Sequence, residues 1–262
     1  MYSVCFIVAG MDKRVPFLEK CIQHYKNSKY AECDIYCYFQ GSKWNYVKGG
    51  EIFKDVIIDP NPRGVFTPRY ELMKRFGIKY DYCIIIDDDL FIQPETEYFN
   101  MIKFMQKQKN IGAMSCLNVK TWIQNRIDIV GTKDGFNILG GMIFPQECVQ
   151  IICDYFADKE DDYTFDCVWI LLWIYGYDLA KDFRSYAQHK TAATQKIDGD
   201  WTGFNWSRFK MPYKPFLTEY LNEPKMVYNP DRYGWERGIP SLKDVNLKGL
   251  EMRNQCRLKK CF

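Results

Sequence analysis

Histidine is scarce: the chain has only two, His24 and His189, and no two cysteines stand in a Cys-x-x-Cys pair, so a zinc site built on paired thiolates has no support. The first apolar run, Val4–Ala9, is too short for a membrane span and has no basic leader before it. No internal repeat and no low-complexity linker interrupts the chain, which argues against an array of modules. The 11 cysteines are odd in number and irregularly spaced. Cys5, Cys37, Cys83 and Cys153 lie inside apolar runs, where a free thiol behaves as a small hydrophobe, so a disulfide framework is not expected. These absences together predict a reduced, cytoplasmic protein with no integral membrane segment.

What is present is a chain of 262 residues, 47% hydrophobic, long enough to bury a core without staples. Aromatic residues make up 17%, more than a core needs, and the surplus suggests rings lining a ligand site. Formal charge is only +3 but unevenly spread. Residues 205–262 hold 12 Lys and Arg against 6 Asp and Glu, a basic end suited to diphosphate, nucleic acid or an anionic membrane surface.

Short apolar runs alternate with helical spacing, the pattern of an α/β fold. Strands are expected at Val4–Ala9, Asp34–Phe39, Phe53–Ile58 and Tyr82–Ile86, and again near Gly112–Cys116 and Ile138–Phe144. Helices are expected at Val15–Tyr25, from a Thr67 cap with Pro68 at the first position to Phe76, near Glu95–Gln108, and from about Tyr163 to Tyr175. The stretch Ser185–Lys190 shows no apolar face. From about Gly199 the chain is aromatic, Pro-punctuated and basic.

The chemistry concentrates at Tyr82-Cys-Ile-Ile-Ile-Asp87-Asp88-Asp89-Leu90. Three carboxylates follow an apolar strand, and open α/β sheets bind ligands beyond the C-terminal ends of their strands. Charge packed so closely repels itself unless a cation neutralises it. Asp87 and Asp89, two residues apart, point the same way if strand geometry persists, and their oxygens suit Mg²⁺ or Mn²⁺. A divalent ion there can hold a diphosphate and stabilise its charge as it leaves.

With Val4–Gly10, Gln40-Gly41-Ser42, Gly64–Arg69 and Ile84–Asp89 in this order, the chain resembles the type-A fold (GT-A) glycosyltransferases, close to family 2. Asp87-Asp88-Asp89 matches the family's DxD. Asp166 through Gly176-Tyr177 matches its acidic helix ending in Gly-Tyr, and His189 falls where the family often has a histidine. The resemblance implies a Rossmann-like, mostly parallel sheet flanked by helices. It implies a catalytic domain over 1–198, with a nucleotide-binding half to about residue 90 and an acceptor half beyond it, and a C-terminal extension over 199–262 packed upon it. It also implies transfer from a nucleotide-diphosphate sugar, a UDP-sugar first, with inversion. Asp87, Asp89 and His189 would hold Mn²⁺ or Mg²⁺. Asp166, or else Asp162, would be the general base, Asp161 being the weaker candidate. Ala9, Gln40, Arg69, Asp87 and Asp88 would meet the nucleotide sugar, with Gly140 and Gly141 near the donor sugar. Arg63 is a second candidate for a phosphate, and Trp201 and Trp206 would form a lid. The family usually has an acidic residue before Gly-Ser at the second strand end. Gln40 stands there instead, which puts the preference for uracil in doubt.

The acceptor stays open at this point. A glycan or lipid-linked saccharide at the inner membrane face would let the basic end rest on anionic lipid, in a bacterial cytosol. A hydroxymethylated base of viral DNA would use Lys243, Lys248, Arg253, Arg257, Lys259 and Lys260 on phosphates, in an infected host cytosol. A nucleotidyltransferase should carry a Gly-rich basic N-terminal loop, whereas Gly10-Met-Asp-Lys-Arg has one glycine. An inactive nucleotide-sugar-binding module is the non-enzymatic rival.

Overall fold

The computed structural model describes residues 2–61, 63, 66–118, 120–130, 141–157, 168, 171–172, 175, 177–189, 227–229 and 234–236. A sheet of nine strands forms the middle layer: β1 (Val4–Met11), β2 (Asp34–Gln40), β3 (Asp55–Asp59), β4 (Tyr82–Asp87), β5 (Leu90–Ile92), β6 (Ile111–Leu117), β7 (Ile127–Val130), β8 (Met142–Pro145) and β9 (Asp178–His189). Its order is β3-β2-β1-β4-β8-β6-β9-β5, with β7 also on β9. A separate pair, β10 (Val227–Asn229) and β11 (Gly234–Glu236), is antiparallel. Helices α1 (Val15–Lys26), α2 (Phe66–Arg75), α3 (Tyr98–Lys107) and α4 (Gln146–Phe156) cover the sheet.

The alternation of strand side chains builds two cores. In β1, Cys5 and Ile7 join one cluster while Val4, Phe6 and Val8 join the other. In β4, Cys83 and Ile85 face the first, and Tyr82, Ile84 and Ile86 the second. Both faces are therefore apolar, as a sheet with helices on both sides requires. Helix α1 buries Leu18, Cys21, Ile22 and Tyr25, and α3 buries Tyr98, Met101, Ile102 and Met105. This spacing of three and four is the stripe read from the sequence. The two helices close the second cluster, while α2 and α4 close the first. The eight described cysteines are free, and all but Cys33 are buried.

Several expectations need correction. Thr67 does not cap a helix, because α2 already begins at Phe66. The third strand starts at Asp55 rather than Phe53, and α3 at Tyr98 rather than near Glu95. The sheet is parallel from β3 through β4, but β8 runs antiparallel to both β4 and β6, so its second half is mixed. Much of the aromatic surplus is core: Phe6 packs on Tyr25, Tyr30 and Tyr98 at 5.1–5.8 Å between ring centroids. Buried tyrosines also need polar partners. The Tyr30 hydroxyl donates to the Thr96 carbonyl at 2.7 Å and accepts the Tyr98 N–H at 2.8 Å. Ser185–Lys190 is the largest surprise. Ser185, Tyr186 and Ala187 are buried, and they lie in β9, which crosses from β6 to pair with β5. Thr96 Oγ1 donates to the Tyr186 carbonyl at 2.6 Å, and the Glu97 N–H donates to Ser185 Oγ at 2.8 Å, fixing this crossing. Among the described residues no helix is long and apolar enough to cross a membrane.

Candidate active site

Asp87 ends β4, and the chain turns through Asp88 and Asp89 into β5. Leu90 pairs with His189 across the β5–β9 ladder. One residue before Leu90 stands Asp89, so the ladder itself delivers the imidazole to the acidic turn. His189 Nε2 lies 3.1 Å from Asp89 Oδ1 and 3.4 Å from Asp87 Oδ2. Ligand atoms of Asp87, Asp89 and His189 all fall within 4.8 Å of one another.

The opposite oxygens of these carboxylates are taken by arginines. Arg69, on the first turns of α2, is bonded to Asp87 Oδ1. Arg14, in the turn Asp12–Arg14 between β1 and α1, places one Nη2 atom 2.5 Å from Asp89 Oδ2 and 2.8 Å from Asp88 Oδ1. Asp88 is 2% exposed and Asp89 4%. His189 meets Asp87 and Asp89, whereas Asp88 turns to Arg14, so the middle carboxylate is part of the support.

Charge in this low-dielectric setting shows in the titration of each group. Burial acts to raise Asp87, but the Arg69 charge and His189 prevail and hold its carboxyl well below the usual range. Burial pushes Asp88 up to about 8; Arg14 opposes this, and the neighbouring Asp89 and Asp87 reinforce it. For His189, burial favours the neutral ring, but the close carboxylates of Asp87 and Asp89 outweigh it and raise the imidazole to about 10.

The residues present fit a divalent cation. Asp89 Oδ1 is buried and receives no well-aligned donor, although His189 Nε2 is near. A buried carboxylate oxygen left this way is costly unless something positive meets it. Two carboxylate oxygens and one imidazole nitrogen, once the ring gives up its proton to the incoming cation, are a donor set for Mg²⁺ or Mn²⁺.

Around this centre the strand ends fall in order. Ala9 pairs with Asp87 in the sheet, and Met11 with Gln40. Gln40 is buried, and its Oε1 accepts the Arg63 N–H at 2.6 Å. The Arg63 side chain pairs with Asp59 at 2.9 Å, and thus sits on the β3 end rather than on the acidic turn. Asp12 ties β1 to the loop after β2, accepting the N–H groups of Ser42 at 3.1 Å and Lys43 at 2.9 Å. Gly141 precedes β8 with φ +88°, and a Cβ there would lie 2.4 Å from the Tyr98 hydroxyl and 3.4 Å from Ile86. Glycine is thus required just before the strand that pairs with β4. Gly140, Asp161, Asp162, Asp166, Trp201, Trp206 and the basic residues 243–260 lie outside the described residues.

Sequence reading missed Arg14. A lone arginine in a Lys-Arg pair at a helix start looks like a solvated cation. Only its place directly after the β1 end, where open sheets gather ligands, hinted at more.

No family model and no curated protein matches the chain. Solved structures do. A mannosyltransferase from Pyrobaculum calidifontis, PcManGT, in complex with GDP-Man and Mn²⁺, is 12% identical with a TM-score of 0.52 over 72% of this chain and 56% of that one. S. aureus TarS 1–349 in complex with UDP-GlcNAc is 9% identical with a TM-score of 0.57 over 97% of this chain and 73% of that one. Another S. aureus TarS structure matches at a TM-score of 0.51, with the chain covering 38% of it. The chain therefore spans about half the length of the mannosyltransferase and less of the longer TarS structure. Its fold is that of the GT-A nucleotide-sugar transferases.

Proposed function

We propose that this chain is a metal-dependent glycosyltransferase that moves a sugar from a nucleoside diphosphate, UDP in the first instance, to an acceptor hydroxyl. The observation carrying this reading is the convergence of Asp87 Oδ2, Asp89 Oδ1 and His189 Nε2 at the C-terminal end of a central strand. These three side chains would hold Mn²⁺ or Mg²⁺. A bound divalent cation supplies Lewis-acid stabilisation of the negative charge on the departing diphosphate. A glycosyltransferase with GDP-Man and Mn²⁺ among the fold's relatives supports the same assignment.

The chain's own groups do the rest. Gln40, Ala9 and Asp87 lie across β2, β1 and β4 near their C-terminal ends, a natural bed for a nucleoside. Arg69 brings a guanidinium to that edge, where a phosphate oxygen can be held bidentately. Gly140 and Gly141 would let the donor sugar approach the backbone closely in this reading. Asp166, or else Asp162, takes the proton of the acceptor hydroxyl, worth roughly 10²–10⁴ in rate. The hydroxyl oxygen then forms the new bond to the anomeric carbon while the carbon–oxygen bond to the diphosphate breaks on the opposite face, inverting the centre. Trp201 and Trp206 close over the donor.

The turn between β1 and α1 favours this reading over nucleotidyl transfer. Its carboxylate, Asp12, is spent on the loop after β2, and the turn offers no glycine-rich cradle for a triphosphate. The acceptor is a glycan or lipid-linked saccharide, and the basic residues in 199–262 would meet anionic lipid. A nucleic-acid acceptor would show itself by acceptor binding that weakens steeply with salt.

The test is a thermal-shift screen of UDP- and GDP-sugars with Mn²⁺ on the parent and on Asp89→Asn. One nucleotide class should raise the parent's Tm by roughly 5–10 °C at a hundredfold excess over Kd, and the variant should lose most of that rise. Equal shifts in both proteins refute the metal assignment.

A further inference from the structure

Asp87 and Asp89 each present one oxygen to the site and have the other held. Asp87 gives Oδ1 to Arg69 and leaves Oδ2 facing His189. Asp89 gives Oδ2 to Arg14 at 2.5 Å and leaves Oδ1 facing His189, buried and without an aligned donor. The same Arg14 Nη2 also stands 2.8 Å from Asp88 Oδ1; both contacts are ion pairs, since neither Nη2 nor Nε makes an aligned hydrogen bond.

We infer that Arg14 is a specificity-determining positioning residue: by holding Asp89 Oδ2 it limits Asp89 to single-oxygen coordination and so selects a small divalent cation over Ca²⁺. This rests on the metal site of the proposed function and adds to it which ion that site accepts. Mg²⁺ demands near-octahedral geometry at about 2.0–2.1 Å, whereas Ca²⁺ takes 6–8 oxygens and gains from bidentate carboxylates. Mn²⁺ shares the oxygen preference of Mg²⁺. With both aspartates clamped, the protein offers three donor atoms and no bidentate carboxylate, a set too sparse for Ca²⁺. Release of Asp89 Oδ2 lets that carboxylate turn and engage with both oxygens.

Arg14 also places a positive charge near the ion, which weakens every divalent cation alike. The ratio of two divalent affinities cancels that effect and leaves the geometric one. Groups that orient a metal ligand typically alter affinity by about 10–100-fold when removed.

The experiment is isothermal titration of Mn²⁺ and of Ca²⁺ into the parent, Arg14→Met and Arg14→Lys, each saturated with UDP, with circular dichroism to confirm folding. Arg14→Lys keeps a buried positive charge and so guards against a Met variant that fails to fold, while its ammonium ends short of where Nη2 stands between the two carboxylates. The parent should prefer Mn²⁺, and the Mn²⁺-over-Ca²⁺ ratio should fall about tenfold or more in either folded variant. An unchanged ratio in the folded variants overturns the role of Arg14 while the metal site stands. A parent that binds neither ion overturns both.

Discussion

A glycine and an aspartate just past the ends of two neighbouring parallel strands should fail together. Gly41 follows β2 with φ +135°, and a Cβ built there would lie 2.1 Å from Asp12 Oδ1 and 2.2 Å from its Cγ. Gly41→Ala therefore imposes two separate costs. The backbone conformation is one that L side chains rarely adopt, at about 1–3 kcal/mol. The methyl also displaces the Asp12 carboxylate from the Ser42 and Lys43 N–H groups. Those bonds are exposed, so their loss adds only about 1–2 kcal/mol. The total is about 2–5 kcal/mol. Asp12→Ala alone loses the same two bonds, and in that background the methyl meets no carboxylate. The double variant should then be about 1–2 kcal/mol more stable than the sum of the single effects. Urea unfolding of the four proteins in one buffer gives the cycle from midpoints at constant m. Strict additivity would show that Asp12 and the loop after β2 are not engaged, and the alignment of Gln40 with the β1 end would lose its anchor.

Two further outcomes follow from other groups. Tyr30→Phe removes an oxygen that accepts the buried Tyr98 N–H and donates to the Thr96 carbonyl; it should cost about 1–3 kcal/mol in urea unfolding, and a change below ~0.5 kcal/mol would show that this junction is not closed. Asp12 is held below the ordinary carboxylate range by the Lys43 and Ser42 N–H groups, which overcome the upward push of burial. A depressed carboxyl stabilises the fold above its unfolded value of about 3.9 and loses that contribution as pH falls through the folded value. The stability gap between the parent and Asp12→Asn should therefore be full at pH 6 and shrink below about pH 4; a gap that widens on acidification would reverse the sign of the linkage.

The sheet was legible where side-chain period and burial agree. Tyr82–Asp87 is apolar on both faces because helices cover both, and α1 and α3 carry their stripes openly in the sequence. Asp87 and Asp89 were legible as an acidic strand end, because three carboxylates directly after an apolar run repel one another unless something positive meets them. Local pattern misled at β9. Asp, Lys, Arg and Gln punctuate this strand, yet Ala180, Asp182, Ser185 and Ala187 are buried. It pairs with β6 in one half and β5 in the other, and partners so distant in the chain leave no periodic trace.

The amino-acid order alone determined the layered α/β framework and the acidic turn at its edge, since both depend on residues adjacent in sequence. Tertiary structure decided which oxygens of that turn are free. His189 reaches Asp89 only through the β5–β9 ladder, and Arg14 reaches it only because β1 and β4 lie side by side. Such a clamp depends on groups about 75 and 100 residues apart meeting within hydrogen-bonding distance, and nothing short of the folded sheet sets that distance.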